Sequence, residues 1–435
     1  MLLFCLSITR SLSLFLPGLL SIQFKRSARY LSILYLHCTQ INKQKIDNKV
    51  GGREIRSGSW FIPPVFPSKN QSDQESRLQA DRHAGAEQRA HLQRTPTAWP
   101  EVGTHLAVEA RSFDLNQAPP PGGVITKNLY SSLDPYMRGR MRDPRIPSYS
   151  PPYTLGEPVT AYALAQVLVS DHPQYRKGDI LFGRFSVEEY SAVPREVLDW
   201  DQTRKVDNPY GVPLSNFLGI LGMTGLTAYS SLYEIGQPKK GETIFISSAA
   251  GAVGQIVGQI AKLEGLRVIG SVGDDRKLAF ILDELGFDAG FNYKKEKPAD
   301  ALRRLAPQGI DIYYENVGGE QLEAALDAMN NYGRIVACGM VSQYNLPLDQ
   351  RYGVKNLFQI VAKRLKMQGF IVGDPGFGPK YFKERNERIA AWLKEGRIKS
   401  KEHITEGIDH AADAFVAMLR GENFGKAILK IADPE

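Results

Sequence analysis

The rhythm of apolar and polar residues changes twice along this chain. From Trp99 to about residue 210, "HLAVEARSFDL", "GGVITKNLYSSL", "VTAYALAQVLVS" and "DILFGRFSVEEYSAV" alternate apolar with polar positions and are broken by Pro and Gly. A period of two sends successive side chains to opposite faces of a strand, so this stretch predicts a partly antiparallel β domain. Beyond Pro213 the period lengthens. "FLGILGMTGLTAYSSLYEIG" (217–236) has apolar residues at helical spacing, and "ETIFIS" (242–247) is a short buried strand. A helix at 252–264, the strand "LRVIGSV" (266–272), a helix at 275–285 and the strand "AGFNY" follow. The helix "PADALRRLA", the strand "IDIYYENV" (310–317), a helix at 320–330 and the strand "GRIVACGM" (333–340) complete the run. Strands that alternate with helices in this way build right-handed crossovers, hence an α/β, doubly wound parallel sheet of the Rossmann type. The tail returns to mixed character, with a strand-like "LKMQGFIVGD", an amphipathic helix at 380–396 and a closing helix, turn and strand. The predicted organisation is an extension (1–97), a first β part (98–216), a dinucleotide-binding domain (217–368) and a return to the β domain (369–435).

Charge changes this picture only at the N-terminus. The formal net charge is +7, but residues 1–97 hold 14 Lys+Arg against 6 Asp+Glu, and the rest holds 40 against 41. The body thus gives no electrostatic reason to seek nucleic acid. The first 46 residues contain no acid, which suits a mitochondrial transit peptide or an upstream stretch included by a misplaced start codon. The apolar stretch 11–24 carries Pro17 and falls short of the roughly 20 residues a membrane span needs, so no stable membrane insertion is expected. Residues 47–97 are polar and turn-rich and read as linker. The three cysteines, Cys5, Cys38 and Cys338, suit a reducing compartment, the cytoplasm or, with a real extension, mitochondria. His172, His403 and His410 stand in polar turns and are expected to be solvated.

The chemistry begins at "AAGAVG" (249–254). Ala249, Gly251 and Gly254 take the three small positions of a dinucleotide fingerprint, after a predicted strand and at the opening of a helix. The N-terminus of the following helix supplies free N–H groups and a partial positive charge for a pyrophosphate. At the end of the next strand, where an NAD site needs a carboxylate, stands Val272, with Lys277 in the following loop. That pattern favours the 2′-phosphate of NADP, unless Asp274 or Asp275 points inward.

These stretches, with "NLYSSLDPYMRGRM", "GMTGLTAYSSL", "GFDAGFNYK", "ENVGGE", "GRIVACGMVSQYN", "MQGFIV" and "GENFGKAILKI" in order, resemble the zinc-independent medium-chain dehydrogenases/reductases. The similarity is to the leukotriene B4 dehydrogenase/prostaglandin reductase and double-bond (2-alkenal) reductase branch and covers about 98–432. It implies a GroES-like catalytic domain beside the Rossmann domain, NADPH between them, and a homodimer. It also implies reduction of the C=C bond of a small-molecule enone or alkenal. Position by position, it puts Gly251, Ala252, Val253 and Gly254 at the pyrophosphate, Lys277 at the 2′-phosphate, and Tyr293 and Asn316 at the adenosine half and ribose. The loop Cys338, Gly339, Met340, Val341, Ser342, Gln343 and Tyr344, with Phe370, Ile371 and Val372, falls on the nicotinamide side, and Asn423 is a late cofactor contact. Met223 and Thr224 fall near the nicotinamide, and Tyr136 and Met223 are candidate substrate contacts. Glu315 stands where Asp is commoner in the family.

Zinc alcohol dehydrogenases need Cys, His and Glu ligands around an open site, whereas "LGEPVTAYALAQVL" offers Glu157 with no adjacent His. Hydride transfer to an activated alkene without a metal is therefore the expected reaction, with an enolate to be stabilised by a neutral donor. Tyr344 is the catalytic candidate, since a phenol with a reference pKa near 10 stays protonated at neutral pH. Alcohol oxidation or carbonyl reduction on the same fold, within secondary metabolism, is the alternative, and a non-enzymatic NADPH-binding protein a distant third.

Overall fold

The computed structural model describes residues 85–200 and 202–435, so the acid-free N-terminal stretch lies outside the described residues. Strand β1 (Gly85–Leu92) pairs antiparallel with β2 (Leu106–Phe113). β3 (Val124–Ser132) leads through the short helix α1 (Tyr136–Arg140) to β4 (Thr160–Ser170) and β5 (Ile180–Ser186). β6 (Tyr190–Val193) and β7 (Arg204–Lys205) close this part. The expected boundary at 97/98 is too late. β1 ends in a buried Ala90 and Leu92 and bonds to the neighbouring sheet region through Ala90 N–H to the Val187 carbonyl (2.8 Å) and Val159 N–H to the Ala90 carbonyl (2.9 Å). Its sequence, GAEQRAHL, hides the strand because Glu87 and His91 are buried as well, Glu87 held by Arg111 rather than by apolar packing.

The chain then enters α2 (Met223–Ser231), β8 (Thr243–Ile246), α3 (Gly254–Leu263), β9 (Arg267–Val272), α4 (Asp275–Ala279) and β10 (Ala289–Asn292). α5 (Pro298–Leu305), β11 (Ile310–Glu315), α6 (Gly319–Ala328), β12 (Met329–Ala337) and β13 (Lys366–Gly369) complete a parallel sheet of order β10-β9-β8-β11-β12-β13. In sequence order that is 3-2-1-4-5-6, the doubly wound arrangement whose ligand crevice opens where the order reverses, between the carboxyl ends of β8 and β11. The strands are apolar on both faces because helices cover both. Ile244, Phe245 and Ile246 of β8 and Ile312, Tyr313 and Tyr314 of β11 are all buried. α3 buries Ile256, Val257 and Ile260 against this sheet, and Gly258 is needed there because a Cβ would fall 2.0 Å from the Phe287 ring.

α7 (Phe382–Lys394) still belongs with this layer: Arg388 bonds the Tyr229 hydroxyl (2.8 Å) from below α2, and Gln259 of α3 holds the Lys399 backbone. The return to the antiparallel sheet comes at β14 (Glu402–Glu406), later than the residue 369 expected from the pattern. α8 (Ala411–Leu419) and β15 (Lys426–Lys430) follow, giving a second sheet of order β14-β15-β3-β4-β5-β7 with β6 beside β3. His172 departs from expectation too. It is buried, stacked on Tyr175 at 4.7 Å and within 3.2 Å of Asp199. Among the described residues no helix is long and apolar enough to cross a membrane.

Candidate functional site

At the end of β8 the backbone turns sharply. Ser248 adopts φ 52°, and its carbonyl and hydroxyl lie where side chains on the following turn would go. A Cβ on Gly251 would sit 2.9 Å from Ser248 Oγ, and one on Gly254 would sit 2.4 Å from the Ser248 carbonyl and 2.9 Å from Ala249 Cα. Only glycine lets the turn fold this tightly onto its own strand. The N–H groups of Ala252, Val253 and Gly254 find no backbone acceptor among the described residues. Such free donors at the start of an amphipathic helix are suited to a phosphate.

Two distant segments border this turn. Gly251 forms a bridge with Gly425, and Asn423 donates its amide to the Gly425 carbonyl at 2.7 Å, so Asn423 shapes the turn that meets Gly251. Lys277 reaches the same place from α4, its ammonium 2.7 Å from the Gly421 carbonyl with the side chain 12 % exposed. Burial depresses its pKa, an effect the Asp274 carboxylate opposes. Neither nearby acid takes the position of a ribose-binding carboxylate. Asp274 caps α4 by accepting from the Lys277 backbone at 2.9 Å, and Asp275 is occupied by Asn292 and Lys295. Tyr293 is exposed beside Gly273, its hydroxyl 3.2 Å from where a Cβ would be.

Across the crevice, Asn316 ties the ends of β8 and β11 together, its backbone N–H to Ser247 Oγ (2.9 Å) and its amide to the Ser247 carbonyl (2.7 Å). Glu315, the departure from the family pattern, is fully buried. Its Oε1 accepts from Val317 (2.6 Å) and Gly318 (2.8 Å), while Oε2 has no partner and burial raises its pKa. The loop after β12 folds back over these groups. Val341 and Ser342 donate to the carbonyls of Asn316 and Val317, and Gln343 bridges Ser342 Oγ and the Tyr352 backbone. Gly339 lies 3.1 Å, measured from an added Cβ, from the Tyr344 hydroxyl. That hydroxyl accepts from the Met340 N–H at 3.3 Å, which leaves its own proton uncommitted. Burial raises the Tyr344 pKa, and the nearby Cys338 and Glu315 add to the shift, so the phenol is neutral at physiological pH. Phe370 stacks on Phe377 at 4.8 Å, with Ile371 and Val372 half-buried beside it. Met223 is the first residue of α2. Tyr136 is a core residue whose buried hydroxyl has no partner, packed edge-on against Tyr162 at 6.5 Å.

Several groups escaped the sequence reading. Arg138 of α1, buried, donates Nε to Asn345 Oδ1 (2.9 Å) and Nη2 to the Ala98 carbonyl (2.7 Å), and so anchors the residue after Tyr344 to the β domain. Tyr149 is 63 % exposed, yet partial desolvation, helped by the nearby Tyr344 and Cys338, raises its pKa. The only signal for Arg138 was an arginine set inside the apolar "DPYMRGRM"; for Tyr149 there was none.

Residues 88–199 match the family described as "N-terminal domain of oxidoreductase" and residues 252–391 the one described as "Zinc-binding dehydrogenase". The chain is 54 % identical over 338 residues to the NADP-dependent oxidoreductase RED1 of Cochliobolus heterostrophus, covering 78 % of this chain and 96 % of that one. It is 44 % identical to the 2-alkenal reductase (NADP(+)-dependent) of Nicotiana tabacum, over 75 % and 92 % of the two chains. It belongs to the zinc-independent medium-chain dehydrogenases/reductases. Among solved structures, CurA from Vibrio vulnificus in complex with NADPH aligns with TM-score 0.73 and 35 % identity over 80 % of this chain and 100 % of that one. The zinc in the second family's description does not fit this chain. Among the described residues no three His, Cys, Asp or Glu side chains gather as a metal would require, Glu157 is exposed, and burial pushes the Cys338 thiol up to about 12.

Proposed function

We propose that this NADP-dependent oxidoreductase reduces the C=C bond of α,β-unsaturated ketones and aldehydes, using NADPH and no metal. The observation that carries the reading is Tyr344: a neutral phenol whose oxygen is held by the Met340 N–H and whose proton is free to give. NADPH, when bound, supplies the hydride that adds to the β-carbon. The free N–H groups of Ala252, Val253 and Gly254 would take the pyrophosphate, with Gly251 donating to the Ser248 carbonyl to hold the turn, and the Lys277 ammonium would take the 2′-phosphate. Asn316 and Tyr293 would border the ribose and adenosine half, with Asn423 holding the far turn. The 338–344 loop and Phe370–Val372 would flank the reacting ring, and Met223 the substrate.

Tyr344 then donates its hydrogen bond to the carbonyl oxygen as negative charge builds there and gives its proton to that oxygen. The enol takes a proton from solvent at the α-carbon, and the O–H proton returns to Tyr344 as the saturated carbonyl forms. A preorganised donor at such an oxygen is worth roughly 100- to 1000-fold in rate. The test is NADPH consumption by the full chain with an enal, an enone and the matching saturated ketone, repeated with NADH. Consumption with the unsaturated substrates alone is expected. Consumption with the saturated ketone instead would move the assignment to a carbonyl reductase. Lys277→Ala should raise KM for NADPH roughly tenfold or more and leave KM for NADH little changed, since a charged hydrogen bond to phosphate is worth about 1.5–3 kcal/mol.

A further inference from the structure

Lys426, which opens β15, is 2 % exposed, and three acceptors surround its ammonium, one for each proton: Asp134 Oδ1 (3.2 Å), the Leu133 carbonyl (2.8 Å) and the Ala427 carbonyl (2.7 Å). Asp134 is as deeply buried, and its other oxygen accepts from the Ser132 hydroxyl. Burial pulls the Lys426 pKa down, an effect that Asp134 and Glu402 oppose. A buried charge is costly without its partner, so each of these two side chains fixes the place of the other.

Three segments of the candidate site meet at this pair. The first is the glycine turn: the residue before Lys426 is Gly425, which bridges Gly251, and the Lys426 backbone N–H is held by the Lys401 carbonyl (2.9 Å). The second is the entry to α2. A Cβ on Gly219 would lie 3.7 Å from Lys426 Cγ, and the Gly219 carbonyl accepts from the hydroxyl of Thr224, next to Met223 (2.8 Å). The third is α1. The Asp134 carbonyl accepts from the Met137 N–H (3.1 Å) and so sets the first turn of that helix. From α1, Arg138 donates to Asn345 Oδ1 (2.9 Å), with its other nitrogen on the Ala98 carbonyl (2.7 Å). Asn345 is itself 2 % exposed and follows Tyr344 in the chain. A short series of buried contacts therefore runs from the glycine turn to the residue beside the phenol.

We propose that Lys426 is a positioning residue for the reduction: with Asp134 it fixes α1, and through Arg138 and Asn345 it holds the Tyr344 phenol in register with the glycine turn. The inference rests on the reductase reading for what Tyr344 does. A proton donor is sensitive to its placement, a displacement of about 1 Å costing up to about 100-fold in rate. The glycine turn does not depend on the Lys426 side chain in the same way, because β15 stays paired with β14 and β3 through its backbone. Loss of the ion pair therefore acts on turnover and spares cofactor affinity. Coupling along such a series is demonstrated by non-additivity between its ends.

The test uses the full chain and the double variant Lys426→Met/Asp134→Asn, which removes both charges together and should melt within a few degrees of the native protein. With NADPH consumption followed on a straight-chain enone, kcat should fall roughly tenfold or more while the dissociation constant of NADPH changes less than about threefold. Placed on Tyr344→Phe, the same two changes should lower kcat less than about twofold, because the group they position is already gone. Equal losses in both backgrounds, or an unaltered kcat, would overturn the proposal. Amide hydrogen exchange read by mass spectrometry needs no turnover. Peptides covering 338–346 should exchange faster in the double variant, while those of α5 and β10 keep the native rate. Faster exchange throughout the chain would leave Lys426 a packing role alone and would overturn the proposal. If the double variant does not fold, Arg138→Met cuts the same link at its far end without touching the ion pair. Its loss of kcat should again vanish on Tyr344→Phe, and an additive loss overturns the proposal. If the native chain consumes no enone, the reductase reading fails, and the exchange arm still decides whether Lys426 holds the Tyr344 loop.

Discussion

Against the parallel sheet, Phe245, Ile269, Phe291, Ile310 and Tyr313 pack with Leu302, Leu322 and Leu326, and Phe245 stacks on Tyr313 at 5.1 Å. Beside the antiparallel sheet, Glu87 and Glu188 share Arg111, Glu188 also accepts from Ser191 (2.6 Å), and Asn128 donates to the Glu188 carbonyl (2.9 Å) and to Ser191 Oγ (2.9 Å). Further along, Lys426 is buried against Asp134 at 3.2 Å and donates to the carbonyls of Leu133 and Ala427. The first cluster is held by area removed from water, the second by charges that each find a partner. Apolar burial tolerates many sequences of similar volume and is indifferent to pH. A buried charge network is specific to its members and fails when one of them is lost or titrated.

The strongest way to break the comparison is to remove β1. A chain beginning at Trp99 loses Glu87, Ala90 and Leu92 together and leaves Arg111 with Glu188 alone. It is expected to be unfolded or aggregated, the loss of a buried Leu alone costing about 1.5–3 kcal/mol, and circular dichroism melting checks it. If that chain melts like the full one, the charge network is dispensable. Next in size, Gly254→Val puts a side chain onto the Ser248 carbonyl. NADPH affinity by fluorescence titration should fall about 100-fold or more, while the melting temperature moves far less than in the first case.

Tyr344→Phe tests the loop that lies between the two regions. It should lower kcat about 100-fold with the dissociation constant of NADPH nearly unchanged; an unaltered kcat would assign proton donation to another group. The smallest effect is on pH. Burial raises the Glu188 pKa from 4.5 to about 7, against the pull of Ser191 and Arg111. The folded state therefore holds a proton that the unfolded chain releases. Below about pH 4.5 both states are protonated and the group is neutral in effect; as pH rises to 7 the folded state loses stability, by at most about 3 kcal/mol, and above 7 the loss is complete. Glu87, also raised by burial, acts in the same sense. Glu188→Gln should flatten the fall in melting temperature between pH 5 and 8, whereas apolar substitutions under the parallel sheet, such as Leu322→Ala, should leave that slope unchanged.

The same contrast explains what could be read from the sequence. Apolar periodicity marked the alternating strands and helices from β8 to β12, because there the pattern is the cause of the fold. It missed β1, where Glu87 and His91 stand in buried positions, and it misjudged His172, buried by stacking on Tyr175. In the candidate site, the strand, glycine turn and helix were legible because they are contiguous. That Lys277 meets Gly421, 144 residues away, and that Arg138 reaches Asn345 across 207 residues were not, since neither contact leaves a local trace.

The bridge between Gly251 and Gly425 has a consequence for synthesis. The turn that would receive the cofactor is braced by Gly425, far along the chain from Gly251, and β15 just beyond it pairs with β3, which is made much earlier. Neither contact can form until the segment Gly425–Lys430 has been synthesised. Until then β3 keeps an unfinished edge exposed, and closing these long-range contacts is the slow step that competes with aggregation.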